Sequence, residues 1–545
     1  MKNKLFILLF ALILILGTFL RFWQLGKVPD SMDWDEVALG YNAYSLLQTG
    51  KDEYGVSHPL VFKSFGNYEL PLYFYIDTIS IKIFGENEFA TRFPSALLGS
   101  ISILLVYLFV SEFFYEEKYR RTVSFLSMLF FAISPWSIQF SRLAFEQNTG
   151  MFLILLGSWL FLKGLRVKKI RYLIIATISI ALSVYVYHSA KLFAPLFFGT
   201  LLLYSFMFFK KRKNLFSIII LLFIVCNIFW LTDKNSVARG KSVTFTSHSS
   251  QILQISTKET IQEEASGDKI GALLHNRRLV FVDTYIQNYL SHFAPNWLFI
   301  TGDLNRHHAP GMGLLYLFSL PFIVAGMIFL TRETLESFSK RKFLPFVLIF
   351  AWFFIAPVAS ALAFDSPSAE RSLTFLPTWQ IFEALGWIAL FSLVRSKNYR
   401  RIIIAIGAGL LFINFIYFSH QYFAHTNTDF EKDWLYGYKQ SVQFANQEKS
   451  AGKKVTFASD FEQMYIYYLF FSKYDPKSYI ASGGSSRIWQ PCFNIDNIYF
   501  GDCLPKLSKG DIYMSTKIPS AKNMKPIKKI YYTNGQTAVT AYEIL

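Results

Sequence analysis

This chain lacks what a metal-stapled, nucleotide-driven or soluble protein needs. It has only three cysteines in 545 residues, and no Cys/His spacing matches a structural zinc site. It contains neither a Walker A sequence nor a strand–GxGxxG–helix unit, which excludes the usual ways of gripping ATP or a nucleotide sugar. Charged side chains make up 17% of the chain against 53% hydrophobic, more apolar surface than one soluble core can bury. There is no internal repeat and no low-complexity tract.

Apolar side chains are abundant, including 58 Phe. A hydrocarbon core of about 30 Å takes about 20 helical residues to cross. Runs of this kind predict about eleven transmembrane helices, at 5–22, 93–114, 122–138, 149–165, 172–188, 192–209, 214–232, 312–331, 343–363, 372–394 and 402–419. Lys and Arg collect in every second short loop: Lys2/Lys4, Lys118/Arg120/Arg121, Lys163 to Arg171, Lys210 to Lys213, Arg332 to Lys342 and Arg395 to Arg401. Those loops are expected to be cytoplasmic, with the N-terminus among them. The segments 23–92, 233–311 and 420–545 are then expected outside the cytoplasmic membrane of a bacterial cell. The net charge of +17 follows from anchoring against anionic membrane lipid, so no nucleic-acid partner is called for. The first span has a basic start but no small-residue cleavage site before Arg21-Phe22-Trp23, and it reads as a retained anchor.

The outer segments differ in texture. Val37 to Leu47 reads as a short helix ending at Gly50, and Leu70 to Phe84 as a second; both carry polar positions and suit the membrane interface. From about 430 the hydropathy drops, and short β-like runs such as 454–458 and 530–533 alternate with helical and Gly/Ser-rich stretches. The expected organisation is a transmembrane domain over 1–419, with outer loops 23–92 and 233–311, followed by a small extracytoplasmic α/β domain over 420–545. Cys226 falls in a span and reads as a small apolar residue. Cys492 and Cys503 both fall in the outer domain, as a disulfide or as two thiols.

Acid chemistry concentrates just beyond the first span, at Asp33-Trp34-Asp35-Glu36. An outer site needs an activated donor delivered by lipid, and a sugar on a polyprenyl phosphate fits that need. Its transfer requires a base for the acceptor hydroxyl and cations for the departing phosphate. The first-loop carboxylates can supply the base. Arg92, Arg142, His188, Lys191, Arg306, His307 with His308, and Arg371 can supply the charge.

Several of these residues sit within a series of motifs: Asp33-Trp34-Asp35-Glu36 followed by Gly40-Tyr41-Asn42-Ala43-Tyr44, Pro71-Leu72-Tyr73, Asn87 to Ala96, Ser134-Pro135-Trp136 with Ser141-Arg142 and Glu146, Tyr185 to Lys191, Gly302-Asp303 with Arg306-His307 and Pro310-Gly311, and Trp434 to Tyr438. In this order, over about the first 440 residues, the chain resembles the bacterial membrane glycosyltransferases of the GT-C fold, relatives of the protein O-mannosyltransferases and the lipid A aminoarabinose transferase. The resemblance implies inverting transfer from a polyprenyl-phosphate sugar to a protein, lipid or glycan acceptor, with Asp35 as base and Glu36 beside it. One position departs from the pattern: relatives often carry Lys or His before Pro-Leu-Tyr, whereas this chain reads Tyr68-Glu69-Leu70-Pro71.

Each assignment has a plainer counterpart. Asp33 or Asp35 can simply cap the following helix, or form an Asp-x-Asp site for a divalent metal, although no cofactor is otherwise implied. Arg92 and Arg371 can snorkel toward head groups. Arg142 and Glu146 have helical ion-pair spacing, and His188 can be an interfacial histidine. Glu383, deep in the tenth run, either lines a donor groove or bonds a neighbouring helix. A lipid-linked glycan polymerase or ligase, or a transporter or flippase, is the alternative reading; the latter predicts repeated halves and polar groups near the midplane.

Overall fold

The computed structural model describes residues 2–208, 213–232, 244–247, 250–338, 344–519 and 523–545. The basic runs at 209–212 and 339–343 and the opening of the second outer segment, 233–243, lie outside the described residues. Each of the expected apolar runs overlaps at least one helix among the described residues. Among the described residues five helices are long and apolar enough to cross a membrane: Lys4–Phe22, Glu88–Phe113, Glu146–Val167, Leu317–Glu336 and Lys397–Asp429. A sixth span is reached if Arg120–Ile133 and Pro135–Ser141, bent by 56°, count as one. By length and composition the count is thus five or six where eleven were expected. Helices such as Ile170–Tyr185 and Phe346–Leu362 are apolar but short.

The chain folds as two compact units. One, the helical unit, comprises Met1–Arg21, Leu97–Ser141 and Glu146–Phe418; the other, the mixed unit, comprises Phe22–Ala96, Arg142–Phe145 and Ser419–Leu545. In the helical unit, the helices Leu320–Phe338 and Thr378–Leu393 approach through reciprocal glycines. A Cβ on Gly326 would lie 1.8 Å from the Phe382 carbonyl oxygen, and one on Gly386 would lie 1.8 Å from that of Phe322. Small residues at such a crossing let backbones touch where lipid provides no hydrophobic drive. Phe322 and Trp387 stack beside it, with centroids 4.7 Å apart.

In the mixed unit, the first expected interfacial helix is Trp34–Thr49, closed by Gly50 at φ 69°, a left-handed end that glycine adopts without steric cost. The second is Leu72–Phe84. Between them β1 (Phe62–Ser64) and β2 (Asn67–Glu69) form an antiparallel hairpin. The C-terminal part contributes β3 (Val455–Phe457), β4 (Cys492–Ile495), β5 (Ile498–Gly501), β6 (Ile512–Ser515), β7 (Met524–Tyr531) and β8 (Thr537–Ile544). They form one sheet in the order β4-β5-β3-β6-β8-β7. Strand β3 runs parallel to β5 and β6, and the remaining pairs are antiparallel. A disulfide joins Cys492 to Cys503. Inward residues Val455, Ile498 and Ile512 share a core with Met32, Val37 and Tyr41 of the first outer segment.

Candidate active site

The turn at Asp33 to Glu36 gives its three carboxylates three different surroundings. Asp33 is the N-cap of Trp34–Thr49. Its Oδ1 accepts from the Asp35 N–H at 2.6 Å, while Glu36 reaches back to the Asp33 N–H at 3.4 Å, a capping box that satisfies two orphan donors. Glu36 is wholly buried and accepts a forked pair from Arg92, Nε to Oε1 at 2.9 Å and Nη2 to Oε2 at 2.8 Å. Its Oε1 also takes the Ala144 N–H at 2.8 Å. Asp35, between these two anchored residues, is exposed.

Arg92, expected to hold a donor phosphate, has its five N–H groups engaged inside the mixed unit. Besides Glu36, Nη1 donates to the carbonyls of Leu25 (3.2 Å) and Pro29 (2.7 Å), and Nη2 to that of Ser31 (2.7 Å). A phosphate would have to displace one of these bonds. Arg142 is built in a similar way. It is buried, its Nη2 donates to the Gln24 (3.3 Å) and Val28 (2.9 Å) carbonyls, and its Nε donates to the Tyr422 hydroxyl at 3.2 Å. The two guanidiniums thus gather five carbonyls of segment 24–31, which leads into the acidic turn. Residues from the C-terminal part hold the same segment: Asn427 bonds the Asp30 N–H (3.0 Å) and the Lys27 carbonyl (2.9 Å), and the Tyr467 hydroxyl bonds the Met32 carbonyl (2.8 Å). Glu69 lies on β2, in register opposite Phe62.

A second buried polar group in this unit was not singled out from sequence. Glu53 accepts from Asn42 Nδ2 at 3.1 Å and from the Ser485 hydroxyl, and Ser485 N–H donates to the Glu53 carbonyl at 3.1 Å. Burial pushes its carboxyl up to about 7, against the opposing hydrogen bonds of Ser485 and Asn42. No local pattern marks this residue, because its partner lies 432 positions away.

The helical unit holds the remaining candidates. His307 Nδ1 lies 2.8 Å from Asp303 Oδ2, and its Nε2 lies 3.9 Å from Glu370 Oε2. Asp303 Oδ2 also accepts the Ala369 N–H at 2.6 Å, and Glu370 accepts from the Gln147 side-chain amide. Burial raises the Asp303 carboxyl, but the hydrogen bond and charge of His307, together with the Ala369 and Leu304 N–H groups, outweigh it and the net shift is downward. Glu370 is a member of this cluster that sequence reasoning missed. Arg306 is half-buried, and its carbonyl accepts from Gln139 at 2.7 Å. His188 Nδ1 and Lys191 Nζ are 3.1 Å apart. Arg371 pairs with Asp365 through Nη1 at 2.5 Å, while its Nε and Nη2 make no hydrogen bond to a described residue. Glu146 is buried at the start of Glu146–Val167. Glu383 accepts from the Ser319 hydroxyl at 2.6 Å.

Known proteins share this architecture. Residues 58–230 match the family described as dolichyl-phosphate-mannose-protein mannosyltransferase. A putative mannosyltransferase of Bacillus subtilis (strain 168), YkcB, is 29% identical over 106 residues, 19% of this chain and 14% of that protein. ArnT from Cupriavidus metallidurans in the apo state superposes with a TM-score of 0.53 at 11% identity, covering 99% of this chain and 98% of ArnT. The archaeal oligosaccharyltransferase AglB from Archaeoglobus fulgidus, in complex with an inhibitory peptide and a dolichol-phosphate, gives 0.50 at 14% identity, over 86% of this chain. The chain spans 64% of the length of AglB. With several apolar helices and a fold that superposes on ArnT over nearly its whole length, this multi-pass membrane protein has the fold of the GT-C glycosyltransferases.

Proposed function

We propose that the protein transfers a sugar from a polyprenyl-phosphate donor to an acceptor hydroxyl at the outer face of a bacterial cytoplasmic membrane, with inversion at the anomeric carbon. Asp35 takes the acceptor proton, the acceptor oxygen bonds the anomeric carbon, and the bond from that carbon to the phosphate oxygen breaks. The polyprenyl phosphate leaves with the electron pair. The observation that carries this reading is the division of labour at the acidic turn. Asp33 is used in the cap and Glu36 in the buried pair with Arg92, while Asp35 stands exposed between them. A base has to reach its substrate, and rigid neighbours keep it in position.

In this reading Arg92 and Arg142 position the catalytic loop, and they are not the ligands of the donor phosphate. Arg371, in the helical unit, stays a candidate phosphate ligand on its own chemistry, because a guanidinium with open donors stabilises an anion. The match to a mannosyltransferase family over 58–230 and the ArnT-like fold support a lipid-phosphate donor. The test is a panel of labelled polyprenyl-phosphate and polyprenyl-pyrophosphate sugars offered to the purified protein. Release of polyprenyl monophosphate is expected, whereas consumption of pyrophosphate donors alone, or of none, overturns the proposal.

A further inference from the structure

A cleft of about 520 Å³ opens within the mixed unit, a size typical of small-ligand sites. Its floor is a row of phenylalanines on three neighbouring strands. Phe457 of β3 and Phe493 of β4 are both in register with Phe500 of β5, and their rings stack on it with centroids 5.7 Å and 5.0 Å away. Phe457 and Phe500 stand at the carboxyl ends of the parallel strands β3 and β5, the end at which α/β sheets receive ligands.

Above this floor the walls turn aromatic faces toward solvent. Trp489 is 60% exposed, and its indole meets the tip of the β1–β2 hairpin, where a Cβ on Gly66 would come within 3.2 Å of it. The hairpin tip places both central residues at positive φ, Phe65 at 45° and Gly66 at 81°. Glycine adopts this conformation freely, but a phenylalanine there is strained and needs a compensating role. Phe65 lines the cleft, as does Trp34, the residue between Asp33 and Asp35. Polar side chains intervene: Glu462, Gln463 and Gln490 line the same space, and none of the three side chains bonds to a described residue.

We propose that this cleft binds the acceptor, and that the acceptor is a glycan. The inference rests on the reading of Asp35 as the base and deepens it by naming the substrate class. Pyranose rings carry apolar C–H faces and equatorial hydroxyls, so they stack on flat indole and phenyl faces while amides and carboxylates bond the hydroxyls at their rims. The cleft offers both kinds of surface. A peptide acceptor is favoured less, because extended peptides are held through main-chain bonds to a strand edge, and this floor is the face of three paired strands. Trp34 joins the cleft to the acidic turn, so a bound sugar is delivered beside Asp35.

The test uses the full-length purified protein in nanodiscs, with mannohexaose, maltohexaose and chitohexaose as probes, each titrated by calorimetry. Saturable binding of at least one hexasaccharide is expected. Trp489→Ala should weaken it by about tenfold or more, and Trp489→Phe, which keeps a stacking face, by less. The melting temperatures of both variants show whether the fold is intact. Absence of binding to all three sugars, equal binding by Trp489→Ala, or Trp489-dependent binding of an unglycosylated Ser/Thr-rich peptide in place of the sugars overturns the proposal. Donor turnover by the wild type is measured separately. Loss of that activity with hexasaccharide binding intact counts against the transferase reading and leaves the cleft assignment standing.

Discussion

Arg92 and Glu36 form a fully buried pair with bonds of 2.9 and 2.8 Å, and this makes a strong prediction about two residues that were first expected to act on substrate. Removing one partner leaves the other charge buried and uncompensated, which typically costs about 3–5 kcal/mol. Glu36→Gln also weakens the bond to the Ala144 N–H, and Arg92→Met releases the carbonyls of Leu25, Pro29 and Ser31. For a folded unit of this size a loss of 3–5 kcal/mol corresponds to a fall in melting temperature of roughly 10 °C. The double variant should be milder than the sum of the two, with a coupling of about 1–3 kcal/mol. The assay is thermal unfolding of detergent-purified protein for wild type, both single variants and the double, alongside donor binding by each folded sample. Single variants within about 0.5 kcal/mol of wild type, or strictly additive effects, would refute the structural role. Arg92→Met that melts normally but loses donor binding would return Arg92 to the phosphate site.

Three other outcomes follow from the same physical reasoning. The Glu53 carboxyl is raised to about 7, so the folded protein keeps a proton that the unfolded chain has lost. Its contribution is complete below about pH 4.5, declines as pH rises and is gone above about 7, a change of roughly 3 kcal/mol at most. Melting curves from pH 5 to 8 should show that slope in wild type and a flatter one in Glu53→Gln; Glu86, raised by burial to about 9, adds a slope of the same sign that extends to higher pH in both. At Arg371, affinity for a polyprenyl-phosphate donor should fall in the order Arg, Lys, Gln, because Lys keeps the charge but loses the planar fork; equal affinity for all three would make Arg371 an anchor. Gly386→Ala should lower the melting temperature strongly and reduce the folded yield, since its Cβ would overlap the Phe322 carbonyl; a variant that melts like wild type would contradict that contact.

Features that depend on neighbours in sequence could be read directly. The Asp33 cap, the helix that follows it and its stop at Gly50 are local signals, and so are the apolar runs and the β-like stretches that became β3 and the end of β7. Features that depend on distant partners could not. Spacing alone does not tell that Glu36 is bonded to an arginine 56 residues away, so the separate surroundings of Asp33, Asp35 and Glu36 were not legible in the sequence. Arg92 and Arg142 were expected as phosphate ligands because an arginine at the end of a span suggests an anion; sequence spacing does not show the backbone carbonyls of segment 24–31 that both guanidiniums bond. Hydropathy located apolar helices, of which five or six among the described residues have full crossing length. The cleft floor joins Phe457, Phe493 and Phe500 by strand register, which no sequence pattern displays.

The central claim, that Asp35 removes the acceptor proton, is tested most directly by comparing wild type, Asp35→Asn and Asp35→Glu in release of polyprenyl phosphate under single-turnover conditions, at equal donor occupancy and matched thermal stability. The account predicts a loss of roughly 10²-fold or more for Asn, with partial recovery in Glu, which keeps a basic carboxylate on a longer arm. Turnover by Asp35→Asn within a few-fold of wild type would contradict it.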